Sequence, residues 1–343
     1  MSLYNITVLG LDDGTFYPLH ISAIVCMTCS FFASIIVTVT SFKTHNKNFY
    51  AWSRSERFVV YLALCEMSFN FIHMFDHVTM LMEKDHVHPL ELCQFYAFLM
   101  VLLMTTKNLI LVIIAINAFL LIRFQNQMEF GVKDWGLYVF VLGGPAVICT
   151  IALSLKQFGP AGAFCLVIPG LATLLMTILP FFIILVVNTT LYLLTWFHIR
   201  RDARQIKSVI GAQAQSGNSY IQAAKTMTMF IAVFTIQWWA ATVYGIWQIT
   251  THNVPSIVYI LVVIFTNIGG CLNLIVFISI QKKRRRILAL DNRVQTRQLH
   301  VRNPYQVNTH NSLDRVKVQN TNSTGTHSST DKAFHHSLPN TSV

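Results

Sequence analysis

The chain has 343 residues, of which 54% are hydrophobic and 11% charged, and its net charge is +11. A soluble domain is about 25% charged, so this composition excludes an ordinary soluble globular protein. The positive residues sit in short connections between apolar runs and in one tail, which argues for membrane orientation and anionic lipid rather than nucleic acid.

A helical crossing of the bilayer takes about 20 mostly apolar residues, and backbone in lipid has to be satisfied internally. Seven segments meet that demand, at 20–42, 58–82, 93–123, 134–155, 169–198, 224–250 and 255–280. They lack the alternation of barrel strands. The expected fold class is therefore an all-α membrane protein, a seven-transmembrane helix bundle over 20–280. Residues 1–19 carry Asp12 and Asp13 without a basic start and apolar core, so a cleavable leader is not expected. They are read as an extracellular N-terminus, with Asn5 in an Asn-Ile-Thr sequon open to glycosylation.

Charge sets the orientation. The first connection holds Lys43, Lys47, Arg54 and Arg57, the third Arg123 and Lys133, and the fifth Arg200, Arg201, Arg204, Lys207 and Lys225. The run Lys282, Lys283, Arg284, Arg285 and Arg286 follows the last span, whereas the opposite side has only Lys84 and Lys156. Cytoplasmic loops carry such excesses, which puts the N-terminus outside and the C-terminus in the cytoplasm of a multi-pass protein. Cys93 and Cys165 each fall at an outer loop, so they are the expected disulfide pair.

Ionisable residues within lipid are costly and mark function. Glu66 in span two and Lys107 in span three both fall near mid-membrane. They are expected to face each other, directly or through water; the alternative is that each is neutral and bonded to a carbonyl or hydroxyl. Glu66, Asn70, His73 and His77 share one helical face, with Asp76 close by. This stripe is expected to line an outer ligand cavity, together with Trp238 and Trp239 of span six. His73 and His77 also have the i, i+4 spacing of metal ligands, but no third ligand beyond Asp76 is evident, so no metal or other cofactor is expected. Histidines near the outer face are also suited to sensing protons. Asn267 and Asn273 flank Gly269 and Gly270 in span seven, where small residues allow close helix approach and amides bond across it. Pro145 and Pro180 are expected to disturb spans four and five.

Beyond the bundle, 281–298 reads as a basic juxtamembrane helix with Ile287, Leu290 and Val294 on one face. Residues 299–343 read as a disordered cytoplasmic tail. The ending Thr341-Ser342-Val343 fits a PDZ-domain ligand.

The arrangement resembles the G-protein-coupled receptor superfamily over roughly residues 20–295. Seven spans, a cysteine at the top of span three and another in the second outer loop carry the likeness. In that family those two cysteines are bonded. Leu62-Ala63-Leu64-Cys65-Glu66 is similar to the rhodopsin-type L-A-x-x-D, with Glu for Asp, and Asn273-Leu274-Ile275-Val276-Phe277 to N-P-x-x-Y without its proline or tyrosine. Span three ends without D-R-Y, and span six reads Gln237-Trp238-Trp239-Ala240 without C-W-x-P. Gly143-Gly144-Pro145, Gly159-Pro160-Ala161-Gly162-Ala163-Phe164-Cys165 and Gly269-Gly270-Cys271-Leu272-Asn273 look more like the cyclic AMP receptor-like group.

The resemblance implies a plasma-membrane receptor, not an enzyme, that couples an extracellular ligand to a heterotrimeric G protein. Arg123, Arg200, Arg201, Arg204 and Lys225 are the G-protein-facing candidates. It also implies arrestin binding at the Ser/Thr cluster from Thr321 to Thr330. The rivals are a seven-helix metal-dependent hydrolase built around His73, Asp76 and His77, an opsin, which needs a lysine that 255–280 lacks, and a transporter, disfavoured by an odd span count.

Overall fold

A computed structural model describes residues 6–45, 48–209, 229, 232–247, 255–282 and 285. Four helices come first: α1 (Phe16–Thr44), α2 (Arg54–Glu83), α3 (Leu90–Phe124) and α4 (Val132–Ser154). A short antiparallel hairpin follows, β1 (Phe158–Pro160) and β2 (Cys165–Val167), with Pro160 opposite Cys165. Then come α5 (Leu171–Arg201), a helix α6 at 232–247, and α7 (Ser256–Asn267) with α8 (Gly269–Lys282).

Among the described residues, five helices are long and apolar enough to cross a bilayer, and α7 with α8 makes a sixth when the bent pair is one span. The expected sixth segment, 224–250, is described only at 229 and 232–247. Asn5, Lys225, the side chain of Arg204, nearly all of 281–298, and the tail with its Ser/Thr cluster and Thr341–Val343 lie outside the described residues.

α3 is the axis of the fold, packing against α2, α4, α5 and both hairpin strands, while α1 lies between α2 and α7. The largest apolar cluster sets Phe58 and Leu62 of α2, Ile110 and Ile114 of α3, Leu137 and Val141 of α4, Phe234 and Trp238 of α6 and Phe277 of α8 together. A second cluster, at the hairpin end, surrounds Met80, Cys93, Ala97, Val101, Phe158 and Cys165.

The helix boundaries have local causes. Ser53-Arg54-Ser55-Glu56 is a capping-box sequence at the start of α2; the Ser53 N–H and hydroxyl donate to Glu56 at 3.1 and 2.8 Å. α2 and α3 end at Lys84 and Gln125 with φ of 56° and 53°, the left-handed turn that stops a helix. The two membrane prolines are accommodated by wide turns rather than sharp kinks. A π-helical turn at Val139–Gly143 precedes Pro145, and another at Leu174–Ile178 precedes Pro180, where a missing N–H disturbs the regular ladder.

The helical stretch 256–282 breaks at Ile268, and α7 and α8 meet at 42°. Side chains from two other helices take the carbonyls at the break. The Ser30 hydroxyl of α1 donates to the Asn267 carbonyl, and Gln237 Nε2 of α6 donates to the Thr266 carbonyl at 2.7 Å. A Cβ on Gly269 would collide with Glu66 Oε1 and Gln237 Nε2, and one on Gly270 with the Ser30 carbonyl and the Ser34 hydroxyl. Gly143, by contrast, has helical backbone and open space around it. Gly270→Ala is therefore expected to destabilise by about 1–3 kcal/mol through overpacking, whereas Gly143→Ala should be neutral or stabilise by up to about 1 kcal/mol. Thermal unfolding of the two variants in detergent or nanodiscs measures the contrast.

Candidate functional site

The candidate site is a polar core that runs from the hairpin to the break in the last span. It starts from a disulfide, Cys93–Cys165, which ties the top of α3 to β2 across a sequence separation of 72. The bond fixes the hairpin over the bundle. From there the Cys165 N–H donates to Asp76 Oδ2 at 3.0 Å, and the Phe164 ring lies 5.1 Å from the His73 ring and 5.8 Å from the His77 ring. The segment before α1 closes the same end: the Leu9 N–H donates to the Gly162 carbonyl at 3.1 Å, and the Ser256 hydroxyl donates to Asp13 at 3.0 Å. Asp13 also accepts from the Thr15 hydroxyl and N–H at 2.6 and 3.0 Å, and that pair, the hydroxyl first, holds its carboxyl below the usual range.

The stripe on α2 is thus covered instead of lining an open outer cavity. Asp76 and His77 are wholly buried and His73 is 5% exposed, because the hairpin seats Phe164 and a backbone N–H directly on it. A recess defined by described residues lies at the opposite, basic end, between α1, α2 and α8, and is lined by His45, Trp52, Glu56, Phe277 and Gln281. Trp238 and Trp239 part company. Trp238 is buried in the core, and Trp239 is 41% exposed, edge-on to Phe265 of α7. Neighbours in a helix point about 100° apart, so one indole faces the bundle and the other faces outward.

At the other end of the stripe, Lys107 Nζ is 3.1 Å from Glu66 Oε1, with both side chains essentially without solvent contact. The ammonium lies 5.0 Å from the Phe69 ring and 5.1 Å from the Trp238 ring, positions where an aromatic face attracts a cation. Asn70 Nδ2 donates to the Glu66 carbonyl at 2.8 Å and approaches Glu66 Oε2 at 3.5 Å. Asn267 Nδ2 donates to the Val263 carbonyl at 2.9 Å. Asn273 is buried, and its Oδ1 has no hydrogen-bond partner. Four helices thus meet at one point: α2 through Glu66, α3 through Lys107, α6 through Gln237, and the break before Gly269.

Sequence reasoning missed two parts of this core. His20 lay at a segment end, yet it is wholly buried with its Nδ1 2.7 Å from His77 Nδ1. Its place on the inward face of α1 was the available signal. The second part is a buried clamp at the basic end. Arg57 Nε and Nη2 donate to the two carboxylate oxygens of Asp134 at 2.8 and 3.1 Å, and the Tyr61 hydroxyl donates to Asp134 at 2.8 Å. Arg57 Nη1 also donates to the Tyr50 and Trp52 carbonyls. The clamp joins α2, the connection before it and the start of α4.

Phe119 of α3 meets His198 of α5 at 6.4 Å, which brings the ends carrying Arg123, Arg200 and Arg201 to one side of the bundle. All three are exposed, and Arg200 stacks on Trp196 at 4.4 Å. Among the described residues, no three His, Cys, Asp or Glu side chains are placed to hold a metal ion. Compared with known proteins, the chain matches no family model and no characterised sequence.

Proposed function

We propose that the chain is a seven-helix receptor of the G-protein-coupled type, resident in the plasma membrane. In this reading 232–247 belongs to a sixth span and α7–α8 forms the seventh, with the hairpin end outside and the basic end in the cytoplasm. One observation carries the reading: buried polar side chains connect the disulfide-anchored hairpin to the break in the last span and to the Glu66–Lys107 pair. Such residues are expensive in lipid and are kept for function. The break supplies an element with alternative geometries, held by single side-chain bonds from α1 and α6. A ligand that favours one of them shifts the population.

On this reading Arg123, Arg200, Arg201, Arg204 and Lys225 face the heterotrimeric G protein. Asn5 carries the glycan. The Ser/Thr-rich tail engages arrestin, and Thr341–Val343 a PDZ domain. The test is expression with a panel of G-protein activation sensors. Constitutive or ligand-dependent activation of at least one G-protein class is expected. Silence of every sensor, with the chain at the cell surface, would overturn the receptor reading.

A further inference from the structure

We propose that His20, His77 and His73 form a proton-binding relay. It takes up one proton while keeping both of its ring-to-ring contacts, and a second only by breaking one of them. The relay rests on its own geometry. Its consequence, a signal from extracellular acidity, rests on the receptor reading above.

The geometry is a chain of three rings. His77 Nδ1 lies 2.7 Å from His20 Nδ1, and His77 Nε2 lies 3.1 Å from His73 Nε2. The first contact joins α2 to α1; the second runs along α2. A neutral imidazole has one N–H and one lone pair, and each contact needs one proton between two nitrogens. Three neutral rings bring three protons. Two fill the contacts and the third sits on one end of the chain, at His20 Nε2 or His73 Nδ1. Both end atoms are buried without a hydrogen-bond partner among the described residues. The neutral chain therefore always leaves one end as a bare lone pair.

A fourth proton fills that end. Every nitrogen is then either an N–H or the acceptor of a short contact, so the charged chain keeps both contacts of the neutral one. When His77 donates in both directions, the charge sits on the central ring. A fifth proton has no lone pair left outside the contacts. It can enter only by setting N–H against N–H, which parts His77 from His20 or from His73.

Charged groups near the rings come from α2 and α3. On α3 the cation is Lys107, paired with Glu66 of α2. Asp76 of α2 is the buried carboxylate beside the relay; its Oδ2 accepts the Cys165 N–H and its Oδ1 has no partner. The hairpin contributes the Phe164 ring, and α1 the Phe16 ring, 4.4 Å from His20. From α7 comes Asn267, a side-chain neighbour of His73; its Oδ1 and His73 Nδ1 both lack a hydrogen-bond partner among the described residues. In the neutral chain His73 Nδ1 carries a proton only part of the time. The fourth proton makes it an N–H always, and the open acceptor beside it, Asn267 Oδ1, belongs to the residue at the break between α7 and α8. Proton uptake near the hairpin is in this way connected to the bend between α7 and α8.

The experiment uses the full chain in lipid nanodiscs with 15N-labelled histidine rings, assigned with His20→Asn and His73→Asn variants. As pH falls, an intermediate is expected in which both His77 nitrogens carry protons and N–N couplings to His20 and His73 persist. At lower pH one coupling should vanish. His77→Asn should take up one proton fewer than the wild type across the first step. Should that variant fail to fold, the wild-type spectra still decide. Three rings that titrate without mutual coupling, or a His77 never protonated at both nitrogens, overturn the relay. In cells, an acid-evoked G-protein response abolished by His77→Asn supports both relay and receptor. Couplings present with every sensor silent uphold the relay and count against the receptor.

Discussion

Lys107→Met should cost about 3–5 kcal/mol of stability, because it strands the Glu66 carboxylate in a dry interior. The geometry leaves Glu66 little else: Lys107 Nζ is 3.1 Å away, and Asn70 approaches only one oxygen, at 3.5 Å. Glu66→Lys, with two cations face to face, should be at least as damaging. The exchange Glu66→Lys with Lys107→Glu restores opposite charges across the same gap and should recover surface expression that either single change loses. Failure of the exchange, with both singles defective, would mean that the two side chains do not depend on each other. The apolar pair Glu66→Gln with Lys107→Met makes a sharper distinction. A buried ion pair is often replaced without loss of stability, so this double variant should fold and reach the surface. On the receptor reading proposed above, its G-protein sensor response should nevertheless fall if the pair couples α2 and α3 to the break between α7 and α8.

Asp134→Ala should be of comparable severity, about 3–5 kcal/mol. Arg57 would keep its bonds to the Tyr50 and Trp52 carbonyls but lose both carboxylate contacts, leaving a buried guanidinium without a counter-charge. Tyr61→Phe removes one neutral donor to the same carboxylate, and about 0.5–1.5 kcal/mol is expected. Thermal unfolding of the two variants should rank them clearly. Equal small effects would show that the clamp contributes nothing beyond its individual bonds.

The helices were largely legible because a bilayer imposes length and apolarity on each crossing, and residues such as those of 93–123 announce both. Glu66 and Lys107 were legible for the complementary reason that charge is out of place there. What could not be read was partnership across the chain. Asp134 looked like the first residue of a span, and nothing local reveals that Arg57, which counted only towards orientation, folds back onto it. His20 is the first residue of the expected segment 20–42, and position along a helix says nothing about which way the ring faces. Trp238 and Trp239 carry the same side chain at adjacent positions, and only packing separates the buried indole from the exposed one. The cover over the α2 stripe was hidden for a similar reason. Glu66, Asn70, His73 and His77 share one face of α2, and a hairpin far along the chain supplies Phe164 to cover its outer end. The glycines at 269 and 270 suggested close packing, and the structure adds that they stand where the helix breaks.

That break would have a mechanical consequence were it to flex. The stretch Gly269–Lys282 is one helix joined to α7 through a single residue, and at about 1.5 Å per residue it is roughly 20 Å long. Opening the elbow by only about 5° would sweep the far tip by about 2 Å, and full straightening would carry it about 15 Å. A swap of one or two hydrogen bonds at the break would thus be converted into displacement a whole membrane leaflet away, without any helix having to slide past its neighbours.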